Sequence, residues 1–394
     1  MTIHKNVIVI GAGGLGCEVI KNIVLLGSRN ITIVDPDIIE IHNITRQFLY
    51  KVDDVGKYKA IVAAERIKEC NSNIKVEAIT KRAQELPISV LKQNDIVITA
   101  VDNLETRRWI NLIMRVIWEQ LKNEWKDNGY NRESTLPMFV DGGSQELYGH
   151  VRVIKSEQEP CIECSMSLFV DKENAPSCSI PNKPKTAEDC IRAVIDLNWD
   201  NINNNEGNRN EAVIKAIFNK ATQYASKHHV DGVTMQMVQN IVQNREININ
   251  TTNAIIAAII LKVIMTHSKD NFYFYSGEGQ TVLDHFTMEK QRDCDLCNCQ
   301  VATATVDESQ TIKQLITQLE TQIGCEDINI TTEKGTLYMS TPKELRRLYS
   351  SRLETTISKM KDMIGSGLYI TSTKQNKWYY IDIQYSTNDT RYKQ

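Results

Sequence analysis

Asn6-Val-Ile-Val-Ile-Gly-Ala-Gly-Gly-Leu-Gly16 joins a short apolar run to a group of glycines, and residues 18–26 follow with the apolar spacing of a helix. This order predicts a buried strand, a tight turn and a helix. Backbone N–H groups in such a turn can bind an anion together with the start of the helix, although the turn can also be purely structural. The segment predicts the first unit of an α/β domain, with a candidate phosphate site at Gly11, Gly13, Gly14 and Gly16.

Strands and helices alternate through the first half of the chain. Apolar runs typical of buried strands occupy residues 6–10, 31–35, 95–100, 138–143 and 148–155, and helical spacing occupies residues 59–70 and 106–122. Alternation of this kind predicts a parallel sheet with helices on both faces.

The composition narrows the classes of protein. The 394 residues predict two or three domains, and 41% hydrophobic with 24% charged residues excludes a disordered, collagen-like or coiled-coil chain. A net charge of −3 predicts neither nucleic acid nor an anionic membrane as partner. The most apolar run, residues 254–261, is too short to span a bilayer. The first residues show no signal-peptide pattern, so we expect the cytoplasm, the nucleus or both.

The character of the sequence changes twice. After three prolines at 176, 181 and 184 the spacing is mostly helical, and residues 251–266 then form a strongly apolar helical stretch. Beyond residue 300, short strands and turns alternate with a helix and end in an aromatic run. The pattern predicts a sheet domain over 1–166 and 251–300, a mostly helical insertion over 167–250, and a separate small α/β domain over 301–394.

Polar residues after the strands indicate a nucleotide. Asp35 ends the second strand, where a carboxylate binds a ribose of NAD or ATP equally well. The side chains of Asn43, Arg46, Gln47 and Lys59 follow, and phosphoryl charge needs such groups whereas hydride transfer does not. Asp102, after a further strand, can hold Mg²⁺ against phosphates. The set favours a nucleoside triphosphate over a dinucleotide.

Two Cys-x-x-Cys pairs predict a metal site. Cys161 and Cys164 form one pair and Cys294 and Cys297 the other, about 130 residues later. Four thiolates form a closed tetrahedral site typical of structural zinc, which we favour over unpaired thiols or a thioredoxin-like motif. Cys299 leaves open which two of the three late cysteines bind.

Cys178 is a candidate nucleophile. It lies between Pro176 and Pro181, where a stiff loop can present a thiol. A thiolate is a strong nucleophile that forms thioesters, although a single cysteine is more often a small core residue. The local sequence alone leaves both interpretations open.

Taken together, the motifs resemble one family. They are GAGGLG, IVDPDIIEIHNITRQF, GKYKAIVAAERI, AVDNLETRRWIN, DGG, the two cysteine pairs, PSCSIP and TTNAIIAAI. In this order they resemble the ubiquitin-like-modifier activating enzymes of the ThiF/MoeB-like adenylation fold, and most of all the catalytic subunits of neddylation type. The resemblance covers about residues 6 to 300. It implies a Rossmann-like adenylation domain, a helical catalytic-cysteine insertion and a C-terminal β-grasp ubiquitin-fold domain.

The family's chemistry implies a role for each candidate residue. ATP and the modifier's C-terminal glycine give an acyl adenylate, a cysteine takes the acyl group as a thioester, and a conjugating enzyme accepts it. Cys178 matches the nucleophile, the four paired cysteines a structural Zn²⁺ site and Asp102 the Mg²⁺ ligand. The implied ATP-binding residues are Gly11, Gly13, Gly14, Gly16, Asp35, Asp37, Asn43, Arg46, Gln47, Lys59 and Asp102.

The resemblance also implies partners and a basis for selectivity. We expect a pseudo-symmetric regulatory subunit, a ubiquitin-like modifier and a conjugating enzyme that docks on the C-terminal domain. Arg152 falls where the neddylation branch has an arginine that would repel a modifier with arginine near its tail. The alternative is a strand arginine on a solvated face.

Four other functions explain less of the sequence. A SUMO-type activating subunit shares most of the motifs, but Arg152 and ETRRWIN favour neddylation. A sulfur-carrier adenylyltransferase lacks the insertion, and a dehydrogenase explains only the glycines and Asp35. A non-catalytic scaffold subunit would lack Cys178 and the zinc cysteines.

Overall fold

The protein contains a large mixed sheet, in which the carboxyl ends of five parallel strands lie at one edge. A computed structural model describes residues 5–127, 136–168, 186–197, 211–243, 250–266, 268–278, 282–372 and 377–386. The sheet strands are β1 (Asn6–Ile10), β2 (Asn30–Val34), β3 (Lys75–Ile79), β4 (Ile96–Thr99), β5 (Met138–Gln145), β6 (Tyr148–Ile154), β7 (Phe272–Ser276) and β8 (Leu283–Phe286). Their order is β3-β2-β1-β4-β5-β6-β7-β8.

The first five strands are parallel and the last three antiparallel. Val9 lies opposite Ile33 of β2 and Ile98 of β4, so β1 is central. From β5 onward the pairings are antiparallel, beginning with a hairpin that sets Asp141 opposite Arg152. The predicted α/β class is confirmed. Strand β3 was not predicted, because Lys75 and Glu77 interrupt its apolar pattern at the edge of the sheet.

Helices cover both faces of the sheet. The helices that precede the second sheet are α1 (Gly14–Leu25), α2 (Lys59–Cys70), α3 (Ile88–Lys92), α4 (Leu104–Asp127), α5 (Ala187–Leu197), α6 (Glu211–Lys227), α7 (Met235–Gln243) and α8 (Asn250–Thr266), and of these α1–α4 and α8 pack on the large sheet. Val7 and Val9 face the core formed with α1, α2 and α8, whereas Ile8 and Ile10 face the core formed with α3 and α4. Burial on both faces explains why β1 is a continuous apolar run.

Helices α5, α6 and α7 form a core of their own. Ile191, Ile217 and Val238, one from each helix, are fully or almost fully buried in it. The predicted nucleophile Cys178 lies outside the described residues. The structure thus shows the helical character of the insertion in its described part, and the predicted domain limits remain a proposal.

A second sheet occupies the C-terminal region. Its strands are β9 (Gln300–Val306), β10 (Ile328–Thr332), β11 (Gly335–Tyr338), β12 (Gly367–Ser372) and β13 (Lys377–Tyr385), in the order β11-β10-β12-β13-β9. The first and last strands, β9 and β13, are parallel neighbours, and the other pairs are antiparallel. The associated helices are α9 (Ile312–Ile323), α10 (Lys343–Tyr349) and α11 (Ile357–Ile364). A capping box at Thr311 begins α9, and Gly324 ends it with a φ of 66°.

Polar contacts connect the second sheet to the first domain. Thr336 Oγ1 and Tyr349 Oη donate to the carbonyl oxygen of Gln84, at 2.8 and 2.9 Å. Tyr369 Oη donates to Glu119 of helix α4 at 3.1 Å. In the described part of the chain, every helix is too short or too polar to cross a membrane.

Candidate functional site

The glycine turn follows β1 and begins helix α1. Gly11 has a φ of 98°, and a Cβ there would lie 2.5 Å from the carbonyl oxygen of Ala100. A Cβ on Gly16 would lie 2.0 Å from the carbonyl oxygen of Gly11. Only glycine therefore fits at these two positions. Gly13 precedes α1 and has no side chain to cap it, which leaves the first amides of the helix for an anion.

Asp35 lies beside this turn, directly after β2, which is the neighbour of β1 on the side away from β4. One of its carboxylate oxygens accepts the Ala12 N–H at 2.6 Å, and the other accepts the Asp37 N–H at 2.9 Å. Burial raises the pKa of Asp35 to about 6, although the Lys59 ammonium opposes the shift. The reversal of strand order at β1 is where nucleotides bind in open α/β sheets.

Lys59 provides a buried cation at the same edge. Its Nζ donates to Asp37 at 2.9 Å, and the Asp37 side chain is itself 63% exposed. Burial would lower the pKa of Lys59, but the charges of Asp35, Asp37 and Asp102 outweigh it and raise the pKa. Asp102 is exposed after β4. The structure thus brings together four of the residues predicted to bind Mg-ATP.

The segment 43–47 packs against the glycine turn. Gln47 is buried with its Nε2 3.9 Å from the place of a Cβ on Gly13, and Arg46 is half-buried. Asn43 uses its side-chain oxygen to accept the Glu40 N–H at 2.9 Å, which closes a 3₁₀ turn. Asn43 therefore has a structural role in addition to its predicted phosphate contact, which remains a prediction.

Two residues at this site were not singled out from the sequence. Tyr50 Oη donates to the carbonyl oxygen of Ala12 at 2.7 Å and so holds the backbone of the glycine turn in place. Asn253 of α8 accepts the Ser144 hydroxyl at 2.5 Å, and its Nδ2 lies 2.7 Å from the place of a Cβ on Gly14. Asn253 is a buried amide next to the long apolar run of its helix, and that mismatch is the signal that could have identified it.

A buried charge network lies in the middle of β5, opposite the end of β4. Asp141 accepts the Thr99 hydroxyl at 2.6 Å and pairs with Arg107 at 2.5 Å. Burial alone would raise the pKa of Asp141, but Arg107, His150 and Arg152 outweigh it and hold that pKa far below its usual range. Burial lowers the pKa of His150 despite its contact with Asp141. Asp141 is therefore ionised, and the two arginines compensate its charge.

Arg152 is not on a solvated face. Its side chain is 3% exposed, lies 4.0 Å from Asp141 and stacks over the Phe272 ring at 5.6 Å. The alternative interpretation as a solvated strand arginine is wrong. The predicted role in modifier selectivity remains a proposal.

The two cysteine pairs converge on one point. The Sγ atoms of Cys161, Cys164, Cys294 and Cys297 all lie within 4.8 Å of one another. Three of the S–S separations are 3.9, 3.5 and 3.6 Å. Tetrahedral zinc with Zn–S bonds of about 2.3 Å requires separations of about 3.8 Å, so these four thiols fit the ion. The structure selects Cys294 and Cys297 over Cys299 as the second pair.

An arginine accompanies the cysteine cluster. Arg115 of helix α4 lies with its Nη1 3.6 Å from Cys297 Sγ, and the Cys297 N–H points to Cys294 Sγ at 3.5 Å. Four thiolates around Zn²⁺ carry a net charge of −2, which a nearby cation and N–H donors stabilise. The surroundings of the cluster therefore also suit a metal site.

Comparison with known proteins places this architecture in a family. A model described as the ThiF family matches residues 3–299. The chain belongs to the ThiF family. The NEDD8-activating enzyme E1 catalytic subunit of Arabidopsis thaliana is 32% identical over 360 residues, which cover 89% of this chain and 78% of the relative. The protein of the same name from Dictyostelium discoideum is 33% identical over 332 residues, which cover 80% and 73%.

These relatives place this ThiF family member among the NEDD8-activating enzyme E1 catalytic subunits, which confirms the resemblance to the neddylation branch. The SUMO-activating enzyme subunit 2 of Dictyostelium discoideum is 33% identical over only 188 residues, which cover 47% of this chain and 25% of that protein. The similarity to the NEDD8-type subunits thus extends much further along the chain than the similarity to the SUMO-type subunit.

Proposed function

We propose that the chain activates a NEDD8-type ubiquitin-like modifier at the expense of ATP. The modifier's C-terminal carboxylate attacks the α-phosphate of ATP, and pyrophosphate leaves. The Cys178 thiolate then attacks the acyl adenylate, so a thioester forms and AMP leaves. A cysteine thiolate of a conjugating enzyme finally takes the acyl group and releases Cys178. The observation that carries the proposal is the convergence of the glycine turn, Lys59 and Asp35 at one edge of a ThiF-family sheet.

The first step is electrostatic. The amides of the glycine turn, Lys59 and Arg46 would bind the phosphates, and Asp35 would accept hydrogen bonds from the ribose. Asp102 is exposed at the same edge and would hold Mg²⁺, which prefers one or two carboxylates together with phosphate oxygens. The bound ion would offset the negative charge on the departing pyrophosphate. Fixed positive groups that already point at this charge lower the barrier because they need no reorganisation.

The cysteine cluster would have a structural task. Zinc at Cys161, Cys164, Cys294 and Cys297 would join the turn after β6 to the segment that leads into β9. The two segments are distant in sequence, so the ion would close a long loop. The site would therefore hold the second sheet near helix α4.

The partners follow from the family and from the architecture. The name catalytic subunit, carried by the relatives, supports a heterodimer with a regulatory subunit, together with a ubiquitin-like modifier as substrate. We further propose that the C-terminal sheet receives the conjugating enzyme. Its contacts with Gln84 and Glu119 fix it against the first domain.

A thioester assay tests the proposal. The chain, a regulatory subunit and Mg-ATP are incubated with NEDD8, ubiquitin or SUMO, and adducts are separated with and without reductant. We expect a reducible adduct with NEDD8, which Cys178→Ala abolishes while modifier-dependent pyrophosphate exchange persists. Cys70→Ala is the control, because Cys70 is an exposed thiol on α2. A reducible adduct that survives in Cys178→Ala would assign the nucleophile to another cysteine.

Selectivity is tested in the same assay through Arg152→Ala. The readout is the ratio of ubiquitin adduct to NEDD8 adduct, because loss of a buried partner of Asp141 can lower both amounts together. A rise in that ratio supports the selectivity role of Arg152. An unchanged ratio leaves Arg152 with its structural role alone.

A further inference from the structure

The loop that carries Asp102 is connected to one buried carboxylate, Asp141, through Thr99 directly and through Val101 by way of Arg107. Residues 100–103 connect β4 to α4. At the start of the loop, Thr99 donates its hydroxyl proton to Asp141 Oδ1 at 2.6 Å. Further along, the carbonyl oxygen of Val101 accepts Arg107 Nη2 at 2.5 Å, and Arg107 Nη1 pairs with the same Asp141 oxygen at 2.5 Å.

Arg107 joins three parts of the molecule through one planar group. Besides Val101 and Asp141, its Nη2 reaches the carbonyl oxygen of Gly142 at 2.9 Å. The Arg107 side chain is 13% exposed, so solvent competes little for these hydrogen bonds. A guanidinium has donors on both terminal nitrogens in a rigid fork, whereas a lysine ammonium is a single point on a flexible stem. A lysine at position 107 would therefore keep the charge but lose the simultaneous contacts.

We propose that Arg107 is a positioning residue that fixes the Val101 carbonyl against β5 and so sets the position of Asp102 for the metal of a bound nucleotide. The proposal rests on the proposed function, because it takes Asp102 as the Mg²⁺ ligand. Asp102 follows Val101 directly, so a shift of the Val101 peptide displaces the Asp102 carboxylate. Arg107 acts through the backbone and contacts neither nucleotide nor metal.

The chain offers a matched control one residue away. Arg108 lies on the same turn of α4 and forms a partly buried ion pair, but with Glu163, at 2.8 Å from Nε and 2.5 Å from Nη2. Its partner belongs to the turn between the first two cysteines and not to β5. Arg107→Lys and Arg108→Lys thus each remove a guanidinium that makes several contacts from the same helix, but only Arg107 contacts Val101 and β5.

The first measurement is amide hydrogen exchange over residues 99–104 in the full chain without nucleotide. We expect Arg107→Lys to accelerate exchange in this segment, while Arg108→Lys leaves it as in wild type. Protection elsewhere in the chain shows that each variant is folded. Equal exchange over 99–104 in the two variants would overturn the proposal, and this readout needs no activity.

The second measurement is the Mg²⁺ dependence of modifier-dependent pyrophosphate exchange in the holoenzyme. Loss of a residue that orients a metal ligand costs about 10-fold to 100-fold in metal affinity, so we expect Arg107→Lys to raise the half-saturating Mg²⁺ concentration by about 10-fold or more. Saturating Mg²⁺ should restore most of the maximal rate. In an Asp102→Asn background Arg107→Lys should have no further effect, because both changes act on one ligand.

Two results separate this proposal from the proposed function. A wild-type enzyme without modifier-dependent exchange would refute the proposed function, while the hydrogen-exchange comparison would still test whether Arg107 fixes the loop. A wild-type enzyme with exchange, but with the same Mg²⁺ dependence for Arg107→Lys and Arg108→Lys, would refute the role of Arg107 alone.

Discussion

Gly16→Ala should destabilise the protein, because the new methyl group would overlap with the backbone of the glycine turn. The new Cβ would lie 2.0 Å from the carbonyl oxygen of Gly11 and 2.8 Å from its carbon, so the backbone would have to move by roughly 1 Å. Overpacking of this severity costs about 3 kcal/mol. Alanine would regain at most about 1 kcal/mol within helix α1. The net loss of about 2 kcal/mol corresponds to a melting temperature about 4–8 °C lower.

Two other glycines make the assay specific. A Cβ on Gly13 meets nothing closer than Gln47 Nε2 at 3.9 Å, so Gly13→Ala should melt as wild type or slightly higher. A Cβ on Gly56 meets nothing within 4 Å, but the φ of 89° predicts a cost of about 1 kcal/mol from backbone strain alone. Thermal unfolding followed by circular dichroism should therefore rank Gly13→Ala above Gly56→Ala and Gly16→Ala lowest. A Gly16→Ala melting temperature equal to that of Gly13→Ala would refute the collision argument.

Three further perturbations address the nucleotide and metal sites. ATP binding, measured by calorimetry, should weaken about tenfold per pH unit below pH 6. The ribose hydroxyls bind ionised Asp35, and Asp35, with a pKa of about 6, must lose its proton before ATP binds. In Asp35→Asn the affinity for ATP should be low and independent of pH. Tyr50→Phe should lower the free energy of unfolding, measured by chemical denaturation, by about 1–2 kcal/mol, because the buried carbonyl of Ala12 loses its donor at 2.7 Å. An unchanged denaturation midpoint would show that another donor replaces the hydroxyl. Metal analysis should find one zinc per chain, lost in Cys161→Ser and retained in Cys299→Ser, and equal zinc in both variants would refute the ligand assignment.

Much of the sheet domain could be predicted from local patterns. The limits of β1 and α2 in the structure are those that the apolar spacing indicates, because each element buries its apolar residues in the core of the sheet domain, β1 on both faces of the sheet and α2 on one. Strand β3 escaped prediction because its exposed side is charged. In the C-terminal region, α10 and α11 were not predicted, since both are short helices of only seven and eight residues.

Several residues of the site could be predicted from the sequence, but the contacts between them could not. The residues at the ends of β1, β2 and β4 could be inferred, because parallel strands end at one edge. The contacts around Asp141 join Thr99 and Arg107 to Arg152, which lies about 50 residues later, and the strand order brings them together. For the same reason, the sequence left the choice between Cys297 and Cys299 open.

The interruption of the large sheet has a consequence for synthesis on the ribosome. Strand β6 ends at Ile154, but its neighbour β7 begins at Phe272, and Cys164 likewise precedes Cys294 by the length of a small domain. At 5–20 residues per second, the second thiol pair emerges roughly 10 s after the first. During that interval the edge of β6 has no β7 to pair with, and Cys161 and Cys164 have no second thiol pair. A nascent chain stalled before Cys294 should therefore hold zinc weakly and depend on chaperones for protection of that edge.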